Sequence, residues 1–394
     1  MKRQIVSAAS AGVLTLGLGL SGVLLPATPA QAAIVPTATD SDGDGLPDSW
    51  ETNGVDTNGD GAIDLDLPAL GADPRRADLF VELDYMPGLL PSTVELDRIR
   101  QSFAALPVSN PDGTTVVTIH LDAGGARGAA YDLGGGNEIP YKQNLSGVDE
   151  VRKLRQQHSD PARANVFHYA VFGDSYGTGS SSGQAWINGL ELLVTVGPRY
   201  WGTASSDIRV GTFIHELGHN LGLTHGGTDG VNNKPNYLSI MNYSYQMTGI
   251  PQTAGGALFA YSTRAQKSLN ESALTEADGL GAAAAGNQLY WWTGGTRHQA
   301  RADGPIDWNW NGVINSGSVQ QDLNKDNAVA TLTGPNDLQN LSLAVGTKGK
   351  AYSGRTARST ESPLVATTDE LTHERARQLH PDKIPSPHSP HVKH

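Results

Sequence analysis

The sequence has no cysteine among its 394 residues, and only 6% of them are aromatic. The missing thiols exclude disulfides, thiolate metal ligands, a cysteine nucleophile and a lipidated amino-terminal cysteine. Positive charge is scarce: 28 Lys and Arg face 40 Asp and Glu, a formal net charge of −12. That balance argues against nucleic acid and anionic membrane surfaces as partners. Beyond residue 25 no apolar run is long enough to cross a bilayer. The length allows one large domain or two ordinary ones, so a sizeable core is possible.

The acidity is concentrated. Between Asp40 and Asp84 lie 13 Asp or Glu against Arg75 and Arg76 alone, which leaves the rest of the chain almost neutral. At the amino terminus, Lys2 and Arg3 precede an apolar run from Ile5 to Leu25, then Pro26 and Ala30-Gln31-Ala32. That order reads as a secretory signal peptide over residues 1–32, with an uncleaved anchor helix as the plainer alternative. The mature form is then secreted and extracellular, with no membrane segment. Export without disulfides fits a bacterial source, so the sequons at Asn144, Asn242, Asn270 and Asn340 read as chance.

Ser206 and Asp207 can cap a helix whose apolar residues are Ile208, Val210, Phe213, Ile214, Leu217 and Leu221. On it, His215 and His219 lie four apart, so both imidazoles leave one face toward a common metal. Glu216 can reach a water at that metal without binding the metal itself. Gly222 lets the backbone leave the helix sharply, and His225 returns as a third ligand. Three protein ligands leave the fourth zinc position open, as a catalytic site requires. Coincidence on an ordinary amphipathic helix is far harder for this long pattern than for two histidines.

Sixteen residues after His225 comes Met241, within Ser239-Ile240-Met241-Asn242-Tyr243. With the long histidine motif, this resembles the metzincin metallopeptidases and their methionine turn. The turn looks most like those of the astacin, serralysin and pappalysin families. The resemblance implies that Met241 underlies the metal and that Tyr243 stabilises the tetrahedral intermediate. Core filling remains the plainer reading of Met241, and buried packing that of Tyr243. Gly226 departs from those families, which usually carry a characteristic non-glycine residue after the third histidine.

The resemblance implies an α+β fold with a twisted mixed sheet, two long helices, an active-site cleft and a mostly irregular carboxy-terminal subdomain. The local patterns suit it. They predict strands at 78–85, 114–122 and 166–172, helices at 92–106 and 148–157, and a hairpin of 183–187 with 190–196. By resemblance, 183–187 is the edge strand that pairs with extended substrate. The implied activity is a zinc endopeptidase acting on proteins or peptides, with Glu216 as general base. The competing reading is a calcium-dependent extracellular binding or adhesion protein with an inactive metzincin domain.

The acidic segment also has a pattern. Asp40, Asp42, Asp44, Gly45 and Glu51 occupy positions 1, 3, 5, 6 and 12 of a calcium loop. Asp56, Asn58, Asp60, Gly61 and Asp64 repeat its first part sixteen residues on, with Leu67 at the twelfth position. These loops resemble thrombospondin type 3 and dockerin repeats. A weaker pair starts at Asp307 and Asp322. A solvated acidic loop is the plain alternative for all four.

The resulting division is a signal peptide (1–32), acidic calcium loops (33–76), an amino-terminal catalytic subdomain (77–222), a carboxy-terminal one (223–346) and a disordered tail (347–394). The tail is rich in Ser, Thr and Pro, with a short helix possible near 368–379. His373, His380, His388, His391 and His394 read as solvated there rather than as a metal-binding cluster.

Overall fold

The computed structural model describes residues 39–344, 365–384 and 386. The signal-peptide reading, and His388, His391 and His394, fall outside the described residues. In chain order, α1 (Asp48–Asn53) and α2 (Leu67–Leu70) precede β1 (Asp78–Tyr85), α3 (Thr93–Ala104), β2 (Thr118–Asp122), α4 (Val148–His158), β3 (Phe167–Phe172), β4 (Gly183–Ala185) and β5 (Glu191–Val194). Then come α5 (Pro198–Trp201), α6 (Ser206–Asn220), α7 (Tyr243–Gln246), β6 (Ile250–Pro251), β7 (Ala257–Leu258), β8 (Gln266–Asn270), β9 (Gln288–Thr293), β10 (Thr296–Arg301), β11 (Thr331–Gly334) and α8 (His373–Leu379).

The main sheet has the order β2-β1-β3-β5-β4. Its neighbours are parallel except for the antiparallel β4–β5 pair at the edge. Parallel strands need crossovers, and α3 and α4 supply two of them. Ser92 starts α3 with a reciprocal cap: Ser92 Oγ accepts from Glu95 N, and Glu95 Oε2 accepts from Ser92 N at 2.7 Å. Glu95 Oε1 also accepts from Arg209 Nε of α6 at 2.8 Å, which ties the two long helices together. The strand expected from 114 begins only at Thr118, because Asn110 to Thr114 close a turn through Gly113 N to Asn110 O at 3.0 Å.

Strand β1 is buried along its whole length. Leu79, Val81, Leu83 and Tyr85 join the main core with Leu96, Phe103, Phe213 and Leu217. Burying side chains of this size stabilises by roughly 1.5–3 kcal/mol each. Glu82 is buried and meets Arg163, whose Nη1 donates to Glu82 Oε2 at 3.0 Å and to Asp122 Oδ2 at 2.6 Å. Pairing is what permits such charges inside.

After α6 the described residues form mostly short two-stranded ribbons and loops, with Trp291, Trp292 and Trp308 buried among them. Buried Asp337 organises the stretch before α7, accepting from Tyr237 Oη at 2.7 Å, Ser239 Oγ at 2.6 Å and Ser262 N at 2.8 Å.

Residues 365–384 differ from the solvated tail expected of them. They lie against the body of the protein, with Leu371, Ala376, Leu379 and Ile384 in the main core. The short helix is present as α8, capped by Thr372, and His373 and His380 are buried. The low apolar content of the segment concealed this, because four anchors in twenty residues make no periodic stripe.

Candidate metal centre

Helix α6 is capped by Ser205, whose Oγ accepts from Ile208 N at 3.3 Å. The expected caps, Ser206 and Asp207, instead accept from Arg98 of α3 at 2.7 Å each. At the other end Gly222 has φ +98°, a left-handed conformation that a side chain would strain. There Gly222 N donates to His219 O and Leu223 N to Gly218 O, both at 2.9 Å. The chain reverses, and His225 comes back beside the helix.

All three imidazoles then face one point. His215 Nε2 and His219 Nε2 are 3.1 Å apart. Their Nδ1 atoms lie 3.0 Å from Ile240 O and 2.8 Å from Leu223 O, contacts in which Nδ1–H donates. That tautomer leaves the Nε2 lone pairs for a metal. Burial holds both rings below the ordinary imidazole range, which keeps them in the neutral, ligating form.

A fourth group completes the cluster, and the sequence reading missed it. Glu370 Oε2 is 3.6 Å from His215 Nε2, while Oε1 is 3.6 Å from His219 Nε2 and 3.5 Å from His225 Nε2. All four ligand atoms lie within 4.8 Å of one another. Tetrahedral zinc with bonds near 2.05 Å requires ligand separations of about 3.3 Å, so the spacing fits that ion. Both Glu370 oxygens are buried without a hydrogen-bond partner among the described residues, a condition a bound cation would relieve. The donor set and geometry therefore fit zinc. Its only sequence signal is an acidic residue next to buried Leu371.

Glu216 is fully buried, and among the described residues neither of its oxygens has a hydrogen-bond partner. Its carboxylate lies against the edge strand: a Cβ on Gly183 would come within 2.4 Å of Glu216 Oε1. Burial, and secondarily Glu370, push Glu216 well above the usual carboxylate range. Tyr243, at the start of α7, places its Oη 3.1 Å from His225 Nε2 and donates to Asp369 O. Burial, then Glu370 and Asp369, keep it protonated.

Met241 lies beneath α6. A Cβ on Gly218 would meet Met241 Sδ at 2.4 Å, so the glycine is what lets the sulfur approach the helix between His215 and His219. Met241 N donates to Ser239 Oγ at 3.1 Å, and the neighbouring Ile240 carbonyl is the one that holds His215. Gly226 has its own cause: a Cβ there would come within 1.9 Å of Asp229 Oδ1, and its carbonyl accepts from buried Lys234 Nζ at 3.0 Å.

In the acidic segment, Asp40, Asp42 and Asp44 bring carboxylate oxygens within 4.8 Å of one another, and so do Asp44, Glu51 and Asp78. Asp78, at the start of β1, is outside the loop pattern. Glu51 is 2% exposed, and among the described residues neither of its oxygens has a hydrogen-bond partner. Burial, then Asp44 and Asp42, push it up to about 10. Burial and Asp42 push Asp44 up to about 8. In the second loop Asp56, Asn58, Asp60 and Asp64 accept from the loop's own backbone, as in Gly61 N to Asp56 Oδ2 at 2.8 Å and Thr57 N to Asp64 Oδ2 at 2.8 Å. Among the described residues, neither that loop nor those at Asp307 and Asp322 gathers three carboxylates within metal-binding distance.

Residues 125–226 match the family described as Metallo-peptidase family M12B Reprolysin-like. The match ends just past His225 and names a different family from the astacin, serralysin and pappalysin families suggested by the methionine turn. No curated protein matches the chain. With the histidine–glutamate cluster, the match supports a zinc metallopeptidase of the metzincin clan. No helix among the described residues is long and apolar enough to cross a membrane.

Proposed function

We propose that the chain is an exported zinc endopeptidase that hydrolyses peptide bonds in extended protein segments. The observation that carries this reading is the placement of Glu216: it follows the ligand His215, is buried without a hydrogen-bond partner among the described residues, lies against Gly183 of the edge strand β4, and feels the charge of Glu370 in the histidine cluster. His215, His219 and His225 hold zinc through Nε2. When bound, zinc supplies a Lewis acid that polarises a carbonyl and eases deprotonation of a water.

The chain's own residues do the rest. Backbone groups along β4 bind the peptide as an added strand. Glu216 takes a proton from the attacking water as its oxygen bonds to the carbonyl carbon, and delivers that proton to the nitrogen as the C–N bond breaks. Tyr243, kept protonated, donates to the oxygen on which negative charge develops. Met241 sets the floor on which His215 is oriented.

A second metal fits the acidic segment. Asp40, Asp42, Asp44, Glu51 and Asp78 hold calcium, with Asp40 also organising the loop by accepting from Gly43 N at 2.8 Å and Gly45 N at 3.0 Å. The partnerless Glu51 carboxylate, packed against like charges, supports this site in particular.

Glu216→Ala tests the reading. We expect loss of casein cleavage with full zinc content by elemental analysis. Equal cleavage by mutant and parent would refute it, and equal inactivity, in every activating variant described below, would favour a binding protein instead.

A further inference from the structure

We propose that residues 365–373 are a built-in latency segment, lying where a peptide substrate would lie and closing the metal centre with Glu370. This deepens the peptidase reading above and rests on it.

The segment is an added strand. Two antiparallel bridges, Trp186 with Ala366 and Ser181 with Thr372, flank β4 on either side. Four backbone bonds hold the pair: Ile187 N to Val365 O at 3.0 Å, Thr367 N to Ala185 O at 3.0 Å, Ser182 N to Leu371 O at 2.9 Å, and His373 N to Ser180 O at 3.1 Å. A ladder of this kind satisfies the orphan groups of an edge strand, which is also how such an edge recognises a peptide. Between Thr367 and Leu371 no backbone bond joins the segment to β4. There Glu370 reaches the three Nε2 atoms at 3.5–3.6 Å, and Tyr243 donates to Asp369 O.

Two features mark this as more than a tail resting in a groove. Glu370 is buried, and among the described residues its oxygens have no hydrogen-bond partner; what they face instead is the Nε2 atoms of the three histidines at 3.5–3.6 Å. The segment is also anchored downstream: α8 buries Ala376 and Leu379, and Arg297 Nη1 donates to Leu379 O at 2.8 Å while Nη2 pairs with Asp382 at 2.8 Å. Glu370 takes the fourth position that a water and a substrate carbonyl need, and the flanking strand takes the substrate's backbone partners. Hydrolysis requires the segment to leave.

Tethering makes modest intrinsic affinity sufficient. At an effective concentration on the order of 1 mM, a segment with an intrinsic constant near 0.1 mM keeps the site closed about ten to one. Freeing it therefore raises the cleavage rate about tenfold, or more if it binds more tightly.

The test uses the full chain as wild type, Glu370→Ala, the near-isosteric Glu370→Gln, and each variant combined with Glu216→Ala. Melting curves confirm that every protein is folded. Cobalt(II) loading gives a visible spectrum that reports the ligand set independently of turnover, and hydrogen exchange at Thr367 and His373 reports docking of the segment. We expect both Glu370 variants to change the cobalt spectrum, speed exchange at those amides, and cleave casein about tenfold faster than wild type. An unchanged spectrum refutes Glu370 as a ligand and overturns the proposal whatever the rates. A changed spectrum with an unchanged rate overturns latency. In that second case the double variants tell the two readings apart. If they fall below wild type, only latency has failed. If they match it, the peptidase reading has failed as well.

Discussion

Replacing Gly218 with alanine tests whether the methionine turn supports the metal centre. In an unencumbered helix interior, glycine to alanine stabilises by about 1 kcal/mol. Here the new Cβ would lie 2.4 Å from Met241 Sδ and 2.8 Å from Tyr261 Cε1, more than 1 Å inside ordinary contact for the sulfur. The tyrosine cannot easily swing aside, because its hydroxyl donates to Ile214 O at 2.7 Å. Overpacking of this kind costs about 1–3 kcal/mol. The net expectation is a loss of about 0–2 kcal/mol, measured by denaturant unfolding of the zinc-free protein.

The displacement should reach the metal, since Met241 follows Ile240, whose carbonyl orients His215. Losing such a supporting contact typically lowers metal affinity 10- to 100-fold, or about 1.4–2.7 kcal/mol. Competition with a chromophoric chelator measures it. Truncating the partner in Gly218→Ala/Met241→Ala should recover about 1–2 kcal/mol relative to the sum of the single variants. The reasoning fails if Gly218→Ala gains the full helix increment and binds zinc as tightly as the parent.

Calcium removal should act mainly through Glu51. Its folded-state affinity for protons is raised, so without a cation its neutral form stabilises at low pH and that contribution is lost as pH rises from 4.5 toward about 10. The EGTA-treated protein should thus melt lower at pH 8 than at pH 5.5 through this site, and calcium should restore more at pH 8. Glu51→Gln should raise the melting temperature in EGTA and abolish the calcium response; a response of unchanged size would refute the assignment. Asp337→Ala removes the acceptor for Tyr237, Ser239 and Ser262 at once and should cost about 2–4 kcal/mol by denaturant unfolding. A change below 1 kcal/mol would show that those donors find other partners.

Much of this was legible from local pattern. The elements of the sheet and both long helices follow from periodicity and caps, because each is dictated by residues within a few positions of one another. The three histidines are legible for the same reason: two share a helix face, and one glycine returns the third. The errors are informative. Ser205 caps α6 because Arg98, 107 positions earlier in the chain, engages Ser206 and Asp207. Asp78 reads as the first residue of a strand, and only folding brings it to Asp44 and Glu51.

By itself, then, the sequence determined the chemistry available: neutral imidazoles at helical spacing, a carboxylate beside them, acidic loops, and no thiol to serve any of these roles. Tertiary structure alone decided what occupies the fourth position. Glu370 is 145 residues from His225 and belongs to a polar segment with no periodicity. Its place depends on unpaired backbone groups along β4 and on a few apolar anchors meeting a core built elsewhere. Contacts made across such a distance leave no local signature, because the constraint is on the fold's geometry and not on the order of neighbouring residues.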